Sequence, residues 1–310
     1  MFSKHEFKDS NKLDSSILTF GNFDGVHLGH QKIFDKILEI SKKESLMSIV
    51  MTFTPHTNAI INPNKSHMIL TSLNDKINII NKIGIDVLCT IEFNKQFSER
   101  SPSQFIKNII SKYNPKYLVL GYDNKFGKNG IGDADYIKKN KLFSNIKILK
   151  VDPFIYKNDI VKTTLIKYHI TNKDIGYANI LMNRQYSISG KVIKGSNIGK
   201  SIGFPTANIQ INEIKQIIPK DGVYSVNLIF DSVKYDGICN IGFTPTLNLQ
   251  DKIKIEVHVI DCNIELYDKN VKIEFKNFIR NEIKFQNKSD LINQIKIDID
   301  SIRKEGELKC

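Results

Sequence analysis

The chain is predicted to fold as an α/β unit followed by a mostly β one, a parallel sheet clothed by helices and then a compact antiparallel barrel with a closing helix. Three observations predict this. Up to about residue 182, short apolar runs alternate with stretches whose apolar residues recur at helical spacing. From Tyr186 to Phe275 the helical spacing nearly vanishes, and short runs are broken by Gly, Pro, Asn and Asp. Finally Leu291, Ile292, Ile295, Ile299 and Ile302 form one helical stripe. The change of pattern puts the boundary near Asn183, giving domains 1–183 and 184–310.

Within the first domain, Ile17, Leu18 and Phe20 end a buried strand, and Gln31–Ser41 carries Ile33, Phe34, Ile37, Leu38 and Ile40 as a helix face. Met47–Phe53 reads as a second strand, ended by Pro55. Ser72 caps a helix running to Ile83, and Gly84 stops it. Asp86–Phe93 is strand-like; Ser101 and Pro102 open a further helix, and Lys116–Leu120 is a core strand ending at Gly121. Strands alternating with helices imply a parallel sheet, whose ligand crevice lies beyond the carboxyl ends of its strands. There the loops Gly21–His30, Thr54–His56 and Gly121–Gly132 are expected to converge. In the second domain the clearest strands are Ser225–Phe230, Val233–Ile241, Lys252–Ile260 and Val271–Phe275. Ser289 is the expected cap of the closing helix, and Glu305–Cys310 a frayed tail.

Bulk properties narrow the function. With 310 residues, 41% hydrophobic and 25% charged, the chain has material for two cores, which excludes disorder. A polar start and short apolar runs predict no signal peptide and no membrane span, hence a cytoplasmic chain. The four cysteines are scattered, with no Cys-x-x-Cys pair, so reduced thiols are expected rather than disulfides or a zinc site. The net charge of +12 comes from lysines dispersed through a chain rich in Lys, Asn and Ile. Such dispersion fits attraction of phosphorylated ligands and predicts no nucleic-acid partner. Small-molecule substrates and a monomer or weak homo-oligomer are expected.

Chemistry concentrates in two places. In Thr19-Phe20-Gly21-Asn22-Phe23-Asp24-Gly25-Val26-His27-Leu28-Gly29-His30, a strand, a glycine turn and a helix start succeed one another. Gly21 and Gly25 let the backbone turn close to a ligand, and the helix start favours an anion beside His27 and His30. Preplaced donors of this kind stabilise the charge on a phosphorus centre under attack, which suits nucleotidyl transfer without a covalent enzyme intermediate. The second place is Gly190–Asn208, where glycines allow close backbone approach to a phosphate chain and Lys191, Lys194 and Lys200 supply counter-charge. The oxygens of Thr206 and Asn208 suit a magnesium ion that keeps its remaining waters. Along Lys252–Ile260, alternation turns Glu256 away from the apolar face. If it shares a mouth with Thr206, it can accept the proton of an attacking hydroxyl.

Both halves resemble one family, the bacterial bifunctional riboflavin kinases/FAD synthetases. In the first half the likeness rests on Phe20-Gly21-x-Phe23-Asp24-Gly25-x-His27-x-Gly29-His30, Thr52-Phe53-x-Pro55-His56 and Gly121-x-Asp123-x-x-Phe126-Gly127. In the second it rests on Ser187-Ile188-Ser189-Gly190-x-Val192, Gly203-Phe204-Pro205-Thr206-Ala207-Asn208, Asp221-Gly222-Val223-Tyr224, Asn240-Ile241-Gly242-x-x-Pro245-Thr246, Ile255-Glu256-Val257-His258 and Phe278-Ile279-Arg280-x-Glu282. The resemblance implies a Rossmann-like nucleotidyltransferase domain, then a riboflavin-kinase barrel with a C-terminal helix. The implied activity is phosphorylation of riboflavin to FMN and adenylylation of FMN to FAD, with ATP and Mg²⁺.

For adenylylation the resemblance implies catalytic His27 and His30. It implies ATP contacts from Gly21, Phe23, Asp24, Gly29, Asp123, Thr164 and Lys167, and flavin contacts at Pro55 and His56. For the kinase it implies Glu256 as base, Thr206 and Asn208 as Mg²⁺ ligands and Arg280 at the flavin. Kinase ATP contacts are implied at Gly190, Lys194, Gly195, Gly199, Lys200, Gly203, Pro205, Thr206 and Asn208. Lys162-Thr163-Thr164-Leu165-Ile166-Lys167 departs from the family's usual Ser-Ser-Thr-x-Ile-Arg, and lysine lacks the bidentate fork of arginine. Slower adenylylation or looser ATP binding is the expected consequence. Two alternatives stay open on sequence: a kinase that has lost adenylylation, and a non-catalytic RNA-binding or flavin-sensing protein on the same scaffold.

Overall fold

A computed structural model describes residues 15–195, 198–244 and 252–307. Two stretches of the expected motifs, Ser196–Asn197 and Pro245–Thr246, lie outside the described residues, as does the polar start. The chain divides into two compact units, Met1–Thr163 and Thr164–Cys310.

The first unit runs β1 (Ser16–Phe20), α1 (Leu28–Glu44), β2 (Met47–Thr54), α2 (Thr57–Ile61), α3 (Leu73–Ile83), β3 (Val87–Glu92), α4 (Lys95–Ser98), α5 (Pro102–Tyr113), β4 (Pro115–Gly121), α6 (Ala134–Lys139) and β5 (Lys147–Val151), then the small hairpin β6 (Ile155–Tyr156) and β7 (Asp159–Ile160). The five larger strands form one parallel sheet in the order β3-β2-β1-β4-β5. Successive side chains leave a strand on opposite faces, so Ile17 and Val50 pack with Phe34, Ile37 and Ile80, while Leu18 and Met51 pack with Phe105, Ile106 and Ile109. Both faces are therefore covered by helices, which is why these strands read as continuous apolar runs. Chain order reverses at β1, and the crevice this opens lies between the ends of β1 and β4.

Local signals behave as their chemistry dictates. Ser72 Oγ accepts from Asp75 N at 3.2 Å at the start of α3, and Gly84 ends that helix at φ 94°. Ser101 and Gln104 form a capping box ahead of α5. The first helix begins earlier than its apolar face suggests, at Leu28, so Gly29 and His30 occupy its first turn.

The second unit contains α7 (Thr163–Thr171), α8 (Ile175–Met182), β8 (Tyr186–Ile193), α9 (Ile198–Ser201), β9 (Thr206–Ile211), β10 (Gly222–Phe230), β11 (Val233–Thr244), β12 (Lys252–Val259), β13 (Asn270–Arg280) and α10 (Lys288–Glu307). Six strands close a barrel in the order β10-β11-β12-β9-β8-β13, every pair antiparallel. Tyr186, Ile188, Tyr224, Leu228, Val257, Ile273 and Phe275 are buried in it. Residues after Thr163 belong with this barrel: Asn179 on α8 donates from Nδ2 to Phe275 O at 2.9 Å and accepts from Tyr186 N at 2.6 Å.

The closing helix differs from expectation at both ends. It is capped by Asn287, whose Oδ1 accepts from Asp290 N at 2.9 Å, and Ser289 lies inside its first turn. Asn caps as well as Ser and stands where the chain enters the helix. At the other end Glu305–Glu307 continue the helix instead of fraying. Ile299 and Ile302 pack against Val223 and Ile238 on the outside of the barrel.

Candidate active sites

In the first unit, the loop after β1 is held in a conformation that few residues adopt. Phe23, Gly25 and Val26 have φ of 45°, 88° and 38°, and Val26 is fully buried. A β-branched residue at positive φ is strained and persists only where its surroundings over-determine it, a pattern concentrated at ligand sites. Asp24 is one such restraint: it is buried, and its Oδ1 accepts from Leu70 N at 2.8 Å and Thr71 N at 3.2 Å. Thr163 Oγ1 donates to the Asp24 carbonyl at 3.1 Å, joining the end of the unit to the same loop.

His27 is the N-cap residue of α1 and His30 lies three residues on, so their rings stack with centroids 3.7 Å apart. Phe23 meets the edge of His30 at 5.3 Å. Gly29 is needed between the histidines, because a Cβ there would sit 3.1 Å from both the His27 ring and Val161 O. Two imidazoles are thus stacked at a helix N-terminus, where backbone N–H groups and the dipole favour an anion.

The three loops anticipated at the strand ends do meet. Asn124 Nδ2, from the loop after β4, donates to Phe20 O at 2.7 Å, and Asn22 exchanges hydrogen bonds with Thr57 just past β2. Next to Thr57, Pro55 follows a cis peptide bond and His56 caps α2 while its ring lies 4.1 Å from that of His67. Asp123 is exposed beside Gly121. Thr164 and Lys167 sit on the first turns of α7, Thr164 exposed and Lys167 half-buried.

Sequence reasoning overlooked Asn22 and Lys76. The Lys76 Nζ donates to Asn22 O at 2.7 Å and to Thr52 Oγ1 at 3.3 Å, and Lys76 is buried. Burial pulls its ammonium down from 10.5 to about 8, against the opposing pull of Asp24. A signal existed: Lys76 falls between Leu73 and Ile80 on the apolar stripe of α3.

In the second unit, Thr206 and Asn208 stand on β9 opposite His258 and Glu256 on β12. Directly paired residues in an antiparallel ladder project to one face, so these four side chains share a side of the sheet. The glycines are close-approach sites: a Cβ on Gly195 would lie 2.0 Å from Asn208 Nδ2, and one on Gly199 would lie 2.3 Å from Phe204 O and 3.2 Å from Thr206 Oγ1. Gly190 would strike Ile209 and Gln210, while Gly203 turns at φ 86°. Lys194, Lys200, Pro205 and Thr206 are exposed around this turn. His258 Nδ1 donates to Pro205 O at 2.8 Å and pins the turn to β12.

Glu256 is half-buried, 3.0 Å from Lys254 Nζ, and its partner across β11 is Asn240, whose Nδ2 donates to Glu282 Oε1 at 3.1 Å. Lys254, Asn240 and Glu282 went unassigned from sequence, since only the register brings them together. Arg280 is tied inward: its Nε and Nη2 donate to buried Asp298 at 3.0 and 2.8 Å, fastening α10 to β13.

Comparison with known proteins follows this division. An FAD synthetase family model matches residues 9–165 and a riboflavin kinase model matches residues 182–305. The bifunctional riboflavin kinase/FMN adenylyltransferase of Buchnera aphidicola subsp. Schizaphis graminum is 37% identical over 304 residues, spanning 97% of this chain and 96% of that protein. Its counterpart in Bacillus subtilis is 36% identical over 286 residues, spanning 91% and 90%. A crystal structure from Streptococcus pneumoniae described as a macrolide-efflux protein superposes with a TM-score of 0.89 at 26% identity over 98% of both chains. Among the described residues of the present chain no helix is long and apolar enough to cross a membrane. With both models end to end and relatives this similar over nearly its whole length, the chain belongs to the bifunctional riboflavin kinase/FMN adenylyltransferase family.

Proposed function

We propose that this protein makes FAD in two steps: its second half phosphorylates riboflavin to FMN, and its first half adenylylates FMN with a second ATP, releasing pyrophosphate. The functional boundary is taken near Asn183, as 1–183 and 184–310, where the riboflavin kinase match begins. The observation that carries the kinase reading is the register of Thr206 and Asn208 against His258 and Glu256.

In the kinase step the riboflavin 5′-hydroxyl attacks the γ-phosphorus of ATP, the bridging bond to the β-phosphate breaks, and Glu256 takes the hydroxyl proton. A general base of this kind contributes about 10² to 10⁴ in rate. Thr206 and Asn208 offer hard oxygen donors beside a cradle that a Cβ on Gly195 or Gly199 would fill, which fits Mg²⁺. When bound there, Mg²⁺ would offset phosphate charge. Gly190, Lys194, Lys200, Gly203 and Pro205 form the turn that receives the phosphates, and Arg280 shapes the flavin side by holding α10.

In the adenylylation step an oxygen of the FMN phosphate attacks the α-phosphorus of ATP and pyrophosphate leaves. That nucleophile is already ionised, so this site needs charge stabilisation rather than a base, which suits His27 and His30 at a helix start. Gly21, Phe23, Asp24, Gly29 and Asp123 shape the ATP pocket with Thr164 and Lys167, and Pro55 and His56 face the flavin. We place the protein in the cytoplasm, as a monomer or weak homo-oligomer. Chromatography of flavins after incubation with riboflavin, ATP and Mg²⁺ tests the reading: FMN is expected first and FAD after it. FMN without FAD, from riboflavin or from added FMN, would remove the second step.

A further inference from the structure

We propose that Lys76 is a positioning residue of the adenylyltransferase site, its buried ammonium fixing the peptide between Asn22 and Phe23 so that the strained loop stays in its phosphate-binding shape. The inference rests on reading the first unit as an adenylyltransferase.

Asn22 O accepts from two donors, Lys76 Nζ at 2.7 Å and Thr52 Oγ1 at 3.1 Å. In a planar trans peptide the next N–H points opposite to that carbonyl, so holding Asn22 O against the ammonium turns the Phe23 N–H away from it. The residues that follow, Phe23, Gly25 and Val26, carry the positive φ values and lead directly into His27. The anchor therefore lies at the root of the segment that presents both histidines.

Lys76 sits where local physics disfavours it. It occupies the first turns of α3, next to the positive end of the helix dipole, and it is withdrawn from water. A lysine retained against two penalties marks a functional constraint more than a packing one. Its charge also lies beneath a loop assigned to a polyphosphate, where a fixed positive charge in a water-poor setting acts strongly. The titratable groups around it are Asp24, from the loop after β1, and Asp75, beside it on α3.

Lys76→Met keeps the stem and removes the ammonium. Its FMN adenylylation is expected to fall at least about tenfold in kcat at saturating FMN and ATP, with riboflavin phosphorylation by the same sample unchanged. In the unmodified protein, adenylylation is expected to decline as pH rises through about 8, while riboflavin phosphorylation serves as internal control. A folded Lys76→Met variant with adenylylation within about twofold of the parent overturns the inference and leaves the adenylyltransferase reading intact. Should that variant not fold, a parent adenylylation profile that stays level with the kinase profile through this range overturns it instead. An unmodified protein that makes no FAD from FMN overturns the underlying reading.

Discussion

Asn208 and Glu256 are register partners on neighbouring antiparallel strands, so an amide and a carboxylate leave the barrel side by side on the face that carries Thr206 and His258. Nothing in their spacing along the chain requires this. It makes Glu256 the acid–base group nearest the glycine turn. Glu256→Gln, which keeps size and removes the proton acceptor, is expected to lower riboflavin phosphorylation by about 10² or more while FAD formation from added FMN continues. Separate assays from riboflavin and from FMN check it.

The reverse pattern is expected at the other site. His30→Ala removes one ring of the stack with His27 and the edge contact with Phe23. FAD formation should drop by about 10² to 10³, with FMN formation spared. Loss of both steps in a folded sample of either variant would mean that one site, not two, serves both reactions.

Gly195→Ala tests the cradle. Its new Cβ would lie 2.0 Å from Asn208 Nδ2, and the flexible amide can swing aside, so the fold should survive while Asn208 loses its place. A kinase loss of at least about tenfold, with a higher Mg²⁺ requirement, is expected from magnesium titrations. An unchanged Mg²⁺ dependence would exclude Asn208 as a ligand.

Arg280 and Asp298 hold the closing helix through a bidentate pair, with the carboxylate buried and Gln294 Nε2 donating to Asp298 Oδ1 at 2.9 Å. Asp298→Ala leaves the guanidinium without its counter-charge and is expected to destabilise the second unit by about 3 kcal/mol. Urea unfolding followed by a probe in that unit measures this, and a raised KM for riboflavin should accompany it.

Burial lowers Lys76 to about 8 from 10.5, so between those values the unfolded chain binds the proton that the native chain has released. Stability from this group therefore rises with pH over that window, and below it the native state carries the full penalty, about 3 kcal/mol. Lys76→Met should accordingly be more stable than the parent at neutral pH, with the difference shrinking above pH 8. Paired urea titrations at neutral and alkaline pH check the sign.

Much of this molecule is legible in its sequence because the signals are local. Periodicity finds β1–β4, α3 and α5, since burial on one stripe or on both faces leaves its spacing in the chain. Cap chemistry fixes Ser72, Gly84 and Ser101, and the glycine-rich turns mark where backbone must approach a ligand. Asn287 escaped that reading because Ser289 is an equally good cap, and only the entry angle of the chain chooses between them.

What the sequence by itself determined is an alternating α/β half, a barrel half and the identity of His27, His30, Thr206, Asn208 and Glu256 as groups able to handle phosphate. Tertiary structure alone decided which of them stand together. Strand register set Asn208 beside Glu256 and brought in Asn240, and helix packing carried Lys76 under Asn22, a residue 54 positions away. The physical reason is that a ladder or a packed helix joins residues by geometry across the fold, whereas composition and spacing record only what each segment buries.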